Sequence, residues 1–295
     1  MKVKDFFGVW TALVTPFRGN RVSKTRIADL VEMAVNARIT GVVPLGSTGE
    51  ASALEDGDRD IVVKSVVDAA RGRIRVMVGA GTNNMPRTVR LVKRAADLGA
   101  DAVLVVAPYY NKPTPEGLKR HFLTVADKSP LPIILYHIPS RCGVGIPLNL
   151  VVELAAHPRI FGIKEAGGDV YRSGEIARLT KDNFAVLSGD DPLTLSLMSV
   201  GAVGVISVIS NIAPKTFRRM VDLCLADKYE EALVVHRQLA PLLNALSLET
   251  NPAPIKEAMN ILGMNVGTVW QPLARVRPPT RRALKKAIEQ LGKIE

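Results

Sequence analysis

Eight short, nearly unbroken apolar runs recur along the chain, and longer amphipathic stretches separate them. The runs are Val9–Thr15, Gly41–Leu45, Ile74–Ala80, Ala102–Ala107, Pro132–Tyr136, Phe161–Lys164, Phe184–Leu187 and Val203–Ser207. Most lack polar alternation, which is the pattern of parallel strands covered on both faces. Helix-period segments such as Thr25–Arg38, Asp58–Ala70, Pro86–Leu98 and Glu116–Asp127 lie between them. Start and stop signals mark several: Thr114 precedes Pro115 and Glu116, and Gly99 follows Leu98. Eight βα units in about 225 residues match the count and length of an α/β fold of the (β/α)8 TIM-barrel type.

A doubly wound sheet is the structural alternative, but it usually has fewer strands and a Gly-rich nucleotide turn after the first. Here the first run leads into Thr15-Pro16-Phe17, and Gly79-Ala80-Gly81 lacks the third glycine of a dinucleotide turn. Neither a phosphate loop nor a GxSxG nucleophile elbow is present. Beyond the eighth unit the β-rich runs stop. Tyr229–Leu246, Pro254–Leu262 and Thr280–Leu291 read as helices, punctuated by Pro252, Pro254, Pro278 and Pro279. The expectation is a barrel domain over residues 1–225 and a C-terminal helical domain over 226–295.

Composition narrows the class. Of 295 residues, 47% are apolar and 23% charged, so a large core is available and disorder is not expected. Cys142 and Cys224 stand far apart, which excludes a disulfide scaffold and a Cys-based zinc site. No two of His121, His137, His157 and His236 have ligand spacing. The net charge is +11, concentrated in part in a tail bearing Arg275, Arg277, Arg281, Arg282, Lys285, Lys286 and Lys293. With no nucleic-acid-binding motif beside it, the tail reads as a solvated basic face, and no nucleic-acid partner is expected. Lys2 and Lys4 before an apolar run mimic a signal peptide, but Asp5 interrupts them and Pro16-Phe17-Arg18 replaces a cleavage site. The uncharged stretch from Pro192 to Pro214 is broken by Gly201, Gly204, Asn211 and serines. It reads as a buried helix and strand rather than a membrane span. A cytoplasmic protein is expected.

Barrel active sites lie at the C-terminal ends of the strands. Those ends carry Gly46-Ser47-Thr48-Gly49-Glu50, Pro108-Tyr109-Tyr110-Asn111, Tyr136, Lys164-Glu165 and Gly189-Asp190-Asp191. Lys164 closes an apolar strand, where burial disfavours the ammonium form and frees the amine to attack a carbonyl. A structural lysine paired with Glu50 or Glu165 fits the position equally well. Tyr136 on the neighbouring strand can relay protons, or simply pack. Ser47 and Thr48 can offer hydroxyls and N–H groups to a carboxylate, and Arg141 can grip one bidentately. Their fall on one rim suggests imine chemistry on an anionic keto acid, with no metal.

Three motifs together resemble the dihydrodipicolinate synthase and N-acetylneuraminate lyase family of pyruvate-dependent class I aldolases. They are Gly46-Ser47-Thr48-Gly49-Glu50, Tyr136-x-x-Pro139-x-Arg141-x-Gly143 and Gly162-Ile163-Lys164-Glu165-Ala166. The likeness runs essentially end to end, through Thr11-Ala12-Leu13-Val14-Thr15-Pro16-Phe17, Ser188-Gly189-Asp190-Asp191 and Glu249-Thr250-Asn251-Pro252. Pro108-Tyr109-Tyr110-Asn111-Lys112-Pro113, Arg141 and Glu249-Thr250-Asn251-Pro252 favour the synthase branch.

The resemblance implies a Schiff base between Lys164 and pyruvate, attack of its enamine on L-aspartate 4-semialdehyde, and cyclisation, without a cofactor. It implies Tyr136 as proton relay, linked through Ser47 to Tyr110, the latter contributed across a dimer within a homotetramer. Arg141 would hold the semialdehyde carboxylate and Thr48 the pyruvate carboxylate, while Gly189 and Ile206 shape the pyruvate pocket by their backbone. Ser47 departs from the Thr-Thr pair usual in synthases and matches the Ser-Thr of neuraminate lyases. That keeps open a related aldolase or lyase acting on neuraminate, a keto-deoxy sugar acid or another aldehyde. Many family members are inhibited by lysine at the dimer interface, through an acidic side chain. The matching position here is Arg87, with Asp56 and Arg59 at nearby histidine positions and Asn83 and Tyr109 retained. Little or no lysine inhibition is expected.

Overall fold

All eight apolar runs contain strands, and these strands pair in parallel into one closed ring. The structure is a computed structural model describing residues 1–180 and 183–291. Lys293 and Glu295 of the basic tail lie outside the described residues. A short 3-10 turn at Val3–Phe6 leads into β1 (Gly8–Ala12), followed by a two-stranded hairpin of β2 (Phe17–Arg18) and β3 (Arg21–Val22). Then come α1 (Lys24–Asn36), β4 (Gly41–Val43), α2 (Asp56–Ala70), β5 (Arg75–Gly79), α3 (Met85–Asp97), β6 (Ala102–Val106) and α4 (Pro115–Lys128). The second half runs β7 (Ile133–His137), α5 (Pro139–Cys142), α6 (Leu148–Ala155), β8 (Ile160–Glu165), α7 (Val170–Thr180), β9 (Ala185–Ser188), α8 (Thr194–Ser199), β10 (Gly204–Ser207) and α9 (Pro214–Leu225). The helices α10 (Tyr229–Leu246), α11 (Ala253–Ile261) and α12 (Pro278–Leu291) complete the chain. The ring order is β1-β10-β9-β8-β7-β6-β5-β4.

Strand ends fall short of the apolar runs for local reasons. The run from Gly41 leaves the ladder after Val43 because Pro44 has no N–H to donate and Leu45 turns to a left-handed φ of 58°. The first run stops at Ala12, and Val14 N–H turns instead to Asn211 Oδ1 at 3.4 Å. The uncharged Pro192–Pro214 stretch supplies α8, which buries one face through Thr194, Leu197 and Met198, and β10, which is fully buried. Among the described residues no helix is long and apolar enough to cross a membrane.

Thr114 and Asn84 cap α4 and α3, accepting N–H bonds from Gly117 at 3.3 Å and Arg87 at 2.9 Å. Gly99, at φ 88°, ends α3 as the sequence suggests.

The apolar core forms two layers. The larger lies between the ring and its helices and extends into α10, α11 and α12. The smaller fills the barrel with Trp10, Ala12, Val43, Met77, Leu104, Ile134, Tyr136, Leu187 and Ile206. Phe6 belongs to this interior group and stacks 5.8 Å from Trp10, so the turn before β1 fills the N-terminal end of the barrel.

Candidate functional site

Strand register decides which way Lys164 points. Tyr136 on β7 and Leu187 on β9 both pair with Lys164, and both belong to the barrel interior. Lys164 therefore faces inward at the C-terminal end of the barrel, and Glu165 faces the helices. Lys164 is 6% exposed and Tyr136 4%. The Lys164 Nζ lies 4.4 Å from the centroid of the Tyr136 ring.

Neither carboxylate that would make Lys164 a structural cation is engaged with it. Glu50 is held by Lys256 and the N–H of Trp270, each at 2.5 Å. Glu165 accepts from Arg172 Nε at 3.1 Å and Gly167 N–H at 2.9 Å. Among the described residues Lys164 has no ion pair, so its amine is uncommitted. Burial pushes the nearby Asp190 carboxyl up, opposed by the Leu193 N–H and by the charge of Lys164. Asp191 is pushed up to about 6 by burial, although the N–H groups of Ile209 and Val208 and the Ser207 hydroxyl oppose this.

Gly189 sits beside the lysine stem. A Cβ there would fall 3.0 Å from Lys164 Cε and 2.7 Å from the Cβ of Ala166. Its N–H donates to Glu165 O at 2.7 Å. Ile206 is buried on β10 within the barrel interior.

The β4 loop is a tight turn. Leu45 and Glu50 are both left-handed, at φ 58° and 56°. Gly49 N–H donates to Gly46 O and Glu50 N–H to Ser47 O, both at 3.1 Å. Thr48 is buried, and its Oγ1 accepts from Asn251 Nδ2 at 2.9 Å. Arg141 lies on α5, the short helix immediately after β7, and its Nη2 donates to the Asn251 carbonyl at 2.8 Å. Asn251 thus ties the Thr48 and Arg141 loops together. The sequence reading gave it no role, although its Glu-Thr-Asn-Pro motif was visible.

Behind Arg141 a buried network fixes the loop. Ile146 N–H donates to His137 Nδ1 at 3.0 Å, which places the ring proton on Nε2, 3.5 Å from Glu165 Oε1. Arg172 Nη2 donates to Ile146 O at 2.7 Å. Burial lowers His137 to about 4, with Arg172 adding to the effect.

A cavity of about 740 Å³ opens here, with Ser47, Tyr136 and Arg141 on its wall. Asn83, Arg59, Arg87 and Tyr109 continue the same wall. Arg87 pairs with Asp56 at 2.8 Å, and Arg59 donates to the carbonyls of Ala51 and Gly79. Lys164, Thr48, Gly189 and Ile206 do not line this cavity, and Tyr110 is not brought to it. Tyr110 is 88% exposed, on a left-handed backbone at φ 71°. Among the described residues no cluster of three or more His, Cys, Asp or Glu side chains is placed to hold a metal ion.

Known proteins share this whole architecture. The Dihydrodipicolinate synthetase family profile matches residues 5–291. A 4-hydroxy-tetrahydrodipicolinate synthase of Syntrophus aciditrophicus is 43% identical over 289 residues, covering 98% of this chain and 99% of the relative. One from Methanococcoides burtonii is 41% identical over 292 residues, covering 98% and 100%. The solved structure of the 4-hydroxy-tetrahydrodipicolinate synthase from Methylacidiphilum fumariolicum SolV superposes with a TM-score of 0.95 at 40% identity, covering 98% of each chain. The strand-end motifs, the closed barrel and these full-length matches agree: the chain belongs to the dihydrodipicolinate synthetase family.

Proposed function

We propose that the protein condenses pyruvate with L-aspartate 4-semialdehyde to give 4-hydroxy-tetrahydrodipicolinate through an imine on Lys164. The observation that carries this reading is an inward, unpaired Lys164 amine against the Tyr136 ring. The amine attacks C2 of pyruvate, and the carbinolamine loses water to give the imine. Loss of a methyl proton gives the enamine, whose carbon attacks the aldehyde, and the aldehyde oxygen takes up a proton. The substrate amine then attacks the imine carbon, closing the ring and expelling the Lys164 amine.

Tyr136 shuttles the protons of these steps, with Ser47 on the same cavity wall as its partner. Thr48 binds the pyruvate carboxylate, and Gly189 and Ile206 bound the space beside it. Arg141 holds the semialdehyde carboxylate. The exposure of Tyr110 supports its delivery to Ser47 of a second copy, in a dimer that pairs again into a homotetramer. Residues 1–225 form the catalytic unit, and 226–295 the helical unit that braces it.

A coupled assay of pyruvate with L-aspartate 4-semialdehyde tests the reading, with Lys164→Ala as control. Turnover above about 1 s⁻¹, ordinary for enzymes, that vanishes in the variant is expected. Imine trapping by borohydride without turnover would retain the lysine and discard the acceptor. In that case Ser47 favours a polyhydroxy sugar-acid substrate, which needs hydroxyl partners more than the Arg141 guanidinium.

A further inference from the structure

The barrel's pyruvate-facing loop is braced from outside the barrel, by an ion pair that stability alone does not explain. Lys256 on α11 and Glu50 at the end of the β4 loop each have side chains 1% exposed. Burying two charges costs several kcal/mol per ion, and well-packed apolar replacements are often as stable or more so. What such a pair does provide is fixed geometry, provided every donor and acceptor is engaged.

Both Glu50 oxygens are taken by the C-terminal segment. Oε1 accepts from Lys256 Nζ and Oε2 from Trp270 N–H, each at 2.5 Å. Lys256 Nζ donates also to the Thr268 carbonyl at 3.0 Å and lies 4.1 Å over the Phe17 ring. Phe17 in turn packs 4.8 Å from the Trp270 ring. Glu50 meanwhile holds a left-handed backbone and donates its N–H to Ser47 O. A displacement of its carboxylate therefore passes directly into the turn that carries Ser47 and Thr48. Glu50 reaches the cavity wall, but Lys256 does not, so the lysine acts on the site only through the glutamate.

We infer that Lys256 and Glu50 are a positioning pair through which the C-terminal helices set the placement of the Ser47 and Thr48 hydroxyls, and with it the affinity for the keto acid. The inference rests on the reading that Thr48 receives the pyruvate carboxylate. It goes beyond that reading in assigning residues that touch no substrate.

The test is borohydride trapping of pyruvate on Lys164, read by intact mass against pyruvate concentration, with melting temperature recorded in parallel. It needs no acceptor aldehyde, so a wrong acceptor assignment leaves it intact. The variants are Lys256→Met, the charge-neutral double Lys256→Met/Glu50→Gln, and Glu50→Gln alone, which keeps the shape and an acceptor. Phe122→Ala, in the outer layer on α4, serves as a comparably destabilised control.

The pyruvate half-saturation is expected to rise about tenfold or more in Lys256→Met, the loss that misplacement of a binding group produces. It should stay raised in the double variant even as its melting temperature recovers, whereas Phe122→Ala melts lower without moving it. A double variant within about twofold of the parent half-saturation would reduce the pair to a structural role and overturn the inference. If Lys256→Met does not fold, the double variant decides, and Glu50→Gln decides if neither folds: a raised half-saturation supports the pair, and an unchanged one removes it.

Discussion

Lys164 and Tyr136 are register partners on adjacent parallel strands, and the lysine nitrogen lies over the tyrosine ring rather than against a carboxylate. The arrangement keeps an amine and a phenol ring within one side chain's reach of each other, both screened from bulk water. It does so without an ion pair to either Glu50 or Glu165, whose oxygens are taken by other donors.

Removing the Tyr136 hydroxyl should therefore slow proton transfer and leave the lysine in place. Tyr136→Phe is expected to lower kcat by about 10²–10⁴, the usual range for a general acid–base group. Trapped pyruvate adduct on Lys164 should still accumulate, only more slowly. Wild-type kcat in this variant would assign the ring to packing.

Gly189→Ala places a methyl 3.0 Å from Lys164 Cε and 2.7 Å from the Ala166 Cβ. Overpacking of this kind costs about 1–3 kcal/mol, taken here partly as displacement of the lysine stem. A folded variant with adduct formation reduced more than tenfold is expected. Undiminished trapping at a reduced melting temperature would show that the strand, and not the lysine, absorbs the strain.

Acid should weaken the fold before it protonates most carboxylates. Burial lowers both His121 and His137 to about 4, against 6.5 for a free imidazole. Between those values the unfolded chain binds more protons, so their contribution is complete above pH 6.5 and is lost as the pH falls toward 4. Asp191, raised to about 6, acts in the opposite sense, because the folded chain takes up its proton first. His236, also lowered by burial, adds to the imidazoles, and Asp190 and Glu165, raised by burial, join Asp191, but the largest shifts are those of His121 and His137. The melting temperature should fall from pH 6.5 to pH 4, and His121→Leu should flatten the fall. A profile that rises on acidification would contradict the balance.

L-Lysine is expected to inhibit weakly or not at all. At the position where the family resemblance would place the effector's acidic partner stands Arg87, already paired with Asp56, and the buried Arg59 lies on the same wall. Initial rates measured with sub-millimolar L-lysine check this, and strong inhibition there would mean that another group receives the ammonium.

The eight strands were legible because parallel strands covered on both faces leave unbroken apolar runs. Their ends were less so, since Leu45 looks like a strand residue and only the missing N–H of Pro44 and its own left-handed turn remove it. The β2–β3 hairpin had a readable signal, the Gly19-Asn20 turn, which two-residue strands made easy to overlook. That Ser47, Tyr136 and Arg141 would fall on one rim was legible from the strand ends, while the roles proposed for them came only with the family resemblance. The ties between the rim loops were not legible: Asn251 reaches Thr48 across 203 residues and Lys256 reaches Glu50 across 206. Nothing local in either segment announces such a partner. Nor did sequence alone decide whether Lys164 was paired, because that depended on which cation had already claimed Glu50 and Glu165.

The alternation along β8 gives its phase a chemical meaning. Consecutive positions put an amine inside the barrel and a carboxylate outside it, where Arg172 and His137 await it. A shift of one residue in that strand would trade the two, leaving an acid inside the barrel and an ammonium stranded between an arginine and an imidazole. Insertions or deletions within Ile160–Glu165 should thus abolish imine formation even where the barrel still closes, whereas length changes in the loops on either side leave the phase, and the reaction, intact.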